Sequence, residues 1–193
     1  MEPRTEECKA ATGKNCLDRT APVLMLVPPN PFPTPLAKMT LADLLRPGRV
    51  IPEMRSDEQL PAIAELVAHL VEAGDLPASR EADAYKALRL REEQRSTGIG
   101  GGVAIPHSFL ADLDEVVAVF GRSTKGIDFC AVDRAPVHYV VLFLVPESQH
   151  ALHLKTLAAI AKSLNSAETR SRLAEAENTE QLLEILAPSC PAA

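Results

Sequence analysis

Between Asp57 and Gly74 apolar residues recur at Leu60, Ile63, Ala64, Val67, Leu70 and Val71, a spacing that predicts an amphipathic helix. Asp57 is expected to cap it and Gly74 to stop it. A second helical pattern runs from about residue 79 to 93, with Ala84, Ala87 and Leu88 turned inward and Leu90 at the margin of that face. The period then shortens, and residues 103–106, 115–121 and 137–145 read as strands. Residues 50–54 read as a further short strand, where Pro52 implies an edge or irregular position. Helices are predicted again at about 149–164, 167–176 and 179–186. This mixed order predicts an α/β fold: a central mixed β-sheet flanked by helices in a single compact domain.

Seven prolines (Pro3, Pro22, Pro28, Pro29, Pro31, Pro33 and Pro35) fall before Leu36. Residues 1–38 are therefore expected to form a disordered Pro-rich tail, with no function of its own or serving as a proline-motif ligand. Deleting it is expected to change the melting temperature little. The domain is expected to span 39–187, with Thr40 capping a short first helix, and 188–193 to form a C-terminal tail.

Composition narrows the partners. Of 193 residues, 46% are hydrophobic and 24% charged, the proportions of a soluble globular protein. Aromatics are 4% with no Trp, and the net charge is −6, so stacking platforms and phosphate-binding basic patches are lacking and nucleic acid is an unlikely ligand. The longest apolar run, 137–145, is far shorter than the ~20 residues of a membrane span, so no span is expected. Cys8, Cys16, Cys130 and Cys190 show no C-x-x-C spacing, which suits a reducing, cytoplasmic setting; Cys130 lies in an apparent core segment.

The run Gly98-x-Gly100-Gly-Gly102 first raises a nucleotide site. Val103-Ala104 follow it where a P-loop needs Lys-Ser/Thr, and it leads from a helix into a strand, the reverse of a dinucleotide fingerprint. It is read instead as a turn beside a reactive group. Just downstream, His107 stands at the end of an apolar strand after Pro106, either as a nucleophile or as a structural or surface histidine. His150 and His153 share one face of a predicted helix; His150 is read as solvated, whereas His153 sits among Leu152, Leu154 and Leu157. No carboxylate or thiol at ligand spacing joins His107 and His153, so neither a metal nor any cofactor is expected. His69 and His138 are read as structural.

The segment Arg91-Glu92-x-x-x-Ser96-Thr97-Gly98-Ile99-Gly100-x-Gly102-Val103-Ala104-Ile105-Pro106-His107 closely resembles the active-histidine signature of a bacterial family. The family is the enzyme IIA domains, fructose/mannitol type (type 2), of the phosphoenolpyruvate-dependent phosphotransferase system, in their nitrogen-regulatory or fructose-specific form. The resemblance continues through Ile127-Asp128-Phe129, Asp133-x-x-Pro136-Val137, Leu144-Val145-Pro146 and His153-Leu154-x-x-Leu157, covering about residues 39–187. It implies that His107 is phosphorylated through Nε2 by a histidine phosphocarrier protein. It further implies that His153 hydrogen-bonds the phosphoryl oxygens, that Arg91 stabilises their charge, and that an enzyme IIB or a regulatory target is the acceptor. Two positions depart from the family pattern: Ser108 replaces a glycine, and His138 replaces a carboxylate or apolar residue.

The leading expectation is thus a phosphohistidine carrier serving sugar uptake or nitrogen-type regulation. The alternatives are a regulatory binding module that signals by docking to a transporter, kinase or transcription regulator, and a metal-dependent hydrolase. Docking is expected on a shallow apolar patch of Ile99, Val103, Phe109 and Leu110 beside the helix starting near Gln149. Phe109→Asp is then expected to slow transfer without unfolding the protein.

Overall fold

The computed structural model describes residues 41–186. The tails at 1–38 and 188–193 and the Thr40 cap lie outside the described residues. The elements in chain order are α1 (Leu41–Leu44), β1 (Val50–Ile51), α2 (Gln59–Glu72), α3 (Glu81–Gln94), β2 (Gly98–Gly100), β3 (Val103–Ala104), β4 (His107–Leu110), β5 (Val117–Ile127), β6 (Val137–Pro146), α4 (His150–Leu164), α5 (Ala167–Glu175) and α6 (Thr179–Leu186). The expected central mixed sheet flanked by helices is present.

The six strands run in the order β1-β5-β6-β3-β2, with β4 also on β6. β1 is parallel to β5, β3 and β4 are parallel to β6, and β5–β6 and β2–β3 are antiparallel. β6 is nearly all apolar because both of its faces are covered. On one face α2 and α3 bury Ile63, Leu66, Leu70 and Leu88 against Val119, Val140 and Leu142. On the other, α1, α4, α5 and α6 bury Leu41, Ile160, Leu173 and Leu182 against Phe120, Val141 and Phe143.

The chain reaches the site along β3 and β4, which keep the same partner offset on β6: Val103 pairs with Tyr139, and His107 with Phe143. Between them stands Pro106, which has no N–H to donate; its carbonyl still accepts from Phe143 N–H at 3.0 Å. His107 therefore opens a strand after the proline, where the sequence pattern ended one.

Several sequence expectations need correction. Asp57 does not cap α2: the cap position is Glu58, without a side-chain hydrogen bond, and the Asp57 carbonyl accepts from Asp128 N–H. The first strand stops at Ile51, and β5 continues to Ile127 through a polar stretch in which Arg122 and Ser123 are buried. Leu90 is 45% exposed, and Cys130 lies on the surface with a φ of 49°. Gly74 does end α2, with a φ of 74° that favours glycine.

Candidate functional site

Side chains alternate along β4, so His107 and Phe109 face α4 while Leu110 joins the core beneath α2 and α3. His107 is 9% exposed, and its ring stacks on that of Phe143 with centroids 5.3 Å apart and planes 17° apart. Its Nδ1 lies 2.7 Å from the Ile105 carbonyl oxygen. A carbonyl only accepts, so Nδ1 carries the proton and the lone pair is on Nε2. Burial pushes the His107 pKa down to about 4; the Ile105 hydrogen bond opposes this, and the positive charges of Arg91 and His153 add to it. Near pH 7 the ring is uncharged, the form in which imidazole is a nucleophile.

His153 stands in the first turn of α4 with its ring 4.9 Å from that of His107 and 5.0 Å from that of Phe109. Its Nε2 is buried without a hydrogen-bond partner. Burial lowers its pKa, and Arg91 and His150 lower it further. His150, three residues earlier, is exposed as expected, but its ring packs on Phe109 at 4.7 Å. Arg91, in the last turn of α3, is half-buried and donates through Nη1 to the Arg95 carbonyl at 3.0 Å. Its charge reaches both rings.

The fold thus gathers His107, His153 and Arg91, from β4, α4 and α3. His138 is not among them: its Nδ1 donates to the Ser123 carbonyl at 2.9 Å, and it lies five residues back along β6 from Phe143, roughly 16 Å. His69 is held in α2. The glycine run forms the β2–β3 hairpin, where Gly100, Gly101 and Gly102 have φ of 91°, 64° and 76°. Side chains at these angles would be strained, which explains the composition of the turn.

The expected docking patch is only partly present. Ile99 is 51% exposed, but Val103 and Leu110 are core residues at 2% and 4%. Phe109 is half-buried and packs on the core beneath α4, so Phe109→Asp would strip packing as well as any contact with a partner. Leu90 and Leu154, the sequence neighbours of Arg91 and His153, are exposed as well, at 45% and 69%.

Sequence reasoning assigned no role to Glu92, which is 5% exposed and accepts from Thr97 N–H at 2.6 Å, Thr97 Oγ1 at 2.7 Å and Gln59 Nε2 at 2.7 Å. The available signal was a carboxylate beside Arg91 with two hydroxyl residues, Ser96 and Thr97, just downstream. Among the described residues, no group of three or more His, Cys, Asp or Glu side chains is placed to hold a metal. No helix there is long and apolar enough to cross a membrane.

Residues 43–188 match the family described as phosphoenolpyruvate-dependent sugar phosphotransferase system, EIIA 2. The chain belongs to that family. A nitrogen regulatory protein of Bradyrhizobium diazoefficiens is 34% identical over 149 residues, 77% of this chain and 95% of the relative. The fructose-specific EIIABC component of Bacillus subtilis is 35% identical over 149 residues, 77% of this chain and 23% of that longer protein. Among solved structures, the nitrogen regulatory protein IIA-Ntr of Neisseria meningitidis superposes with a TM-score of 0.69 at 28% identity, covering 76% of this chain and 98% of that one. In this EIIA 2 domain the candidate site lies where β4, the end of α3 and the start of α4 converge.

Proposed function

We propose that His107 is the phosphoacceptor of this EIIA-type phosphocarrier. It receives the group on Nε2 from a phosphorylated histidine phosphocarrier protein in the cytoplasm and hands it to a B-type component or retains it as a regulatory signal. The observation that carries the reading is the pairing of a His107 ring pinned through Nδ1 with a His153 Nε2 buried without a partner 4.9 Å away, ring to ring. A buried polar atom left unpaired costs about 1–3 kcal/mol. A phosphoryl oxygen beside Nε2 of His107 would supply that partner.

In the transfer the Nε2 lone pair forms a new P–N bond while the donor's P–N bond breaks, its electron pair leaving with the donor imidazole. The His107 ring becomes cationic as it gains the group, and the Ile105 carbonyl, already accepting from Nδ1–H, stabilises that charge. The Arg91 guanidinium and the His153 imidazole oppose the charge spread over the phosphoryl oxygens in transit. The B-type acceptor is supported by the fructose relative, whose name joins A, B and C components in one chain.

The reading is tested with labelled phosphoryl donor. His107→Ala is expected to abolish incorporation, while His153→Ala stays folded and still incorporates label, about tenfold or more slowly or with a shorter-lived adduct. Incorporation into His107→Ala at the normal rate would overturn the assignment. The regulatory relatives favour a second reading, in which the domain signals by docking alone; loss of the label in mild acid, the mark of a P–N bond, argues against it.

A further inference from the structure

The buried carboxylate of Glu92 is the start of a hydrogen-bonded path that ends on the His107 ring. Glu92 Oε1 accepts from Thr97 N–H and Oε2 accepts from Thr97 Oγ1, so both oxygens are spent on one residue, with Gln59 Nε2 adding a third bond. The Thr97 carbonyl, held by these bonds, accepts from Ile105 N–H at 3.0 Å. The Ile105 carbonyl accepts in turn from His107 Nδ1–H at 2.7 Å. That carbonyl belongs to the peptide before Pro106, between β3 and β4; the residues on either side are tied to β6, and Ile105 itself is held through the β2–β3 hairpin. The bond from Ile105 N–H to Thr97 orients this residue.

We infer that Glu92 is a positioning residue for phosphoryl transfer: through Thr97 and Ile105 it fixes which His107 nitrogen carries the proton and where the ring sits. The inference rests on the proposal that His107 is the phosphoacceptor, and it deepens that proposal. A carboxylate at position 92 suits the task because an ionised carboxylate only accepts, and here it is surrounded by three donors. A glutamine would turn an amide N–H2 toward one of those donors, and an alanine would leave all three without an acceptor. Arg91 follows the same anchor, since it adjoins Glu92 in the last turn of α3.

Nitrogen-15 NMR of the unphosphorylated full-length protein reads the tautomer and titration midpoint of His107 without any phosphoryl chemistry. Wild-type protein is expected to show the Nδ1–H tautomer alone. In Glu92→Ala the Nε2–H tautomer is expected to appear and the midpoint to rise toward that of free histidine as water gains access. Incorporation from phosphoramidate, a small donor that needs no docking, is expected to fall about tenfold to a hundredfold, as a misplaced reacting group would. Glu92→Gln, which keeps one oxygen for Thr97 N–H, is expected to fall between the two. Thr97→Val removes one of the three donors and provides the same readout should Glu92→Ala not fold. Folded variants with wild-type His107 tautomer and midpoint would overturn the inference, whatever the incorporation. Normal NMR behaviour in wild-type protein without incorporation would instead remove the phosphoacceptor proposal and leave the positioning path standing.

Discussion

A histidine whose pKa is pushed down to about 4 by burial gives the folded chain a pH signature of definite sign. In the unfolded chain the same ring titrates near ~6.5. Between those values the unfolded state binds a proton that the folded state refuses, so the contribution is complete above ~6.5 and is lost as pH falls toward 4. His153, also lowered, acts in the same direction. Urea midpoints measured from pH 7.5 to 4 are expected to fall more steeply for wild-type protein than for His107→Gln; parallel curves would show that burial does not perturb the ring. At this scale the convergence of His107, His153 and Arg91 was legible because the family resemblance names all three. The accepting carbonyl of Ile105 was not, since a sequence does not say which way a backbone oxygen points. Val103 and Leu110 were placed on the surface because they lie close to His107 in the chain, whereas the sheet turns them into the two cores.

Among the elements, the β2–β3 hairpin ties α3 to the site, and its first glycine is fixed by contact. A Cβ added to Gly98 would lie 2.8 Å from both the Cα and the Cβ of Ala131. The backbone atom cannot rotate away, so the hairpin or the loop around Ala131 must shift. Gly98→Ala is expected to destabilise the fold by about 1–3 kcal/mol, as overpacking does, and to slow phosphoryl incorporation because the shift passes through Thr97 to Ile105. A thermal melt and a labelling time course check both; wild-type values in each would show that the loop yields freely. The long helices were legible within about two residues, α2 because its apolar period is strong. β2 and β4 were missed as strands, one being glycine-rich and one following a proline. The far end of β5 was hidden by polar residues that the fold buries, Arg122 and Ser123.

Across the described residues, the two helical layers are joined to the sheet by packing and by hydrogen bonds, among them those of a buried arginine. Arg122 of β5 donates through Nε to the Pro52 carbonyl and through Nη1 to the carbonyls of Leu173 and Ala176, closing the end of α5 onto the segment after β1. Arg122→Ala leaves these carbonyls unpaired and is expected to cost about 2–4 kcal/mol in chemical denaturation. Arg122 pairs with Tyr139, four residues or roughly 13 Å along β6 from the partner of His107, so incorporation at 25 °C is expected to persist. Loss of incorporation by a protein that remains folded would show the two regions to be coupled. The mixed sheet was legible from the order of elements; this long-range tie was not, because it uses carbonyls that carry no residue identity. The limited exposure of His107, 9% on a backbone anchored to β6, has a kinetic consequence. If His107 is the phosphoacceptor proposed above, so narrow an opening would admit one visitor at a time: donor and acceptor would use the same face in turn, each leaving before the other arrives, and turnover would follow a ping-pong course in which an excess of either partner competes with the other.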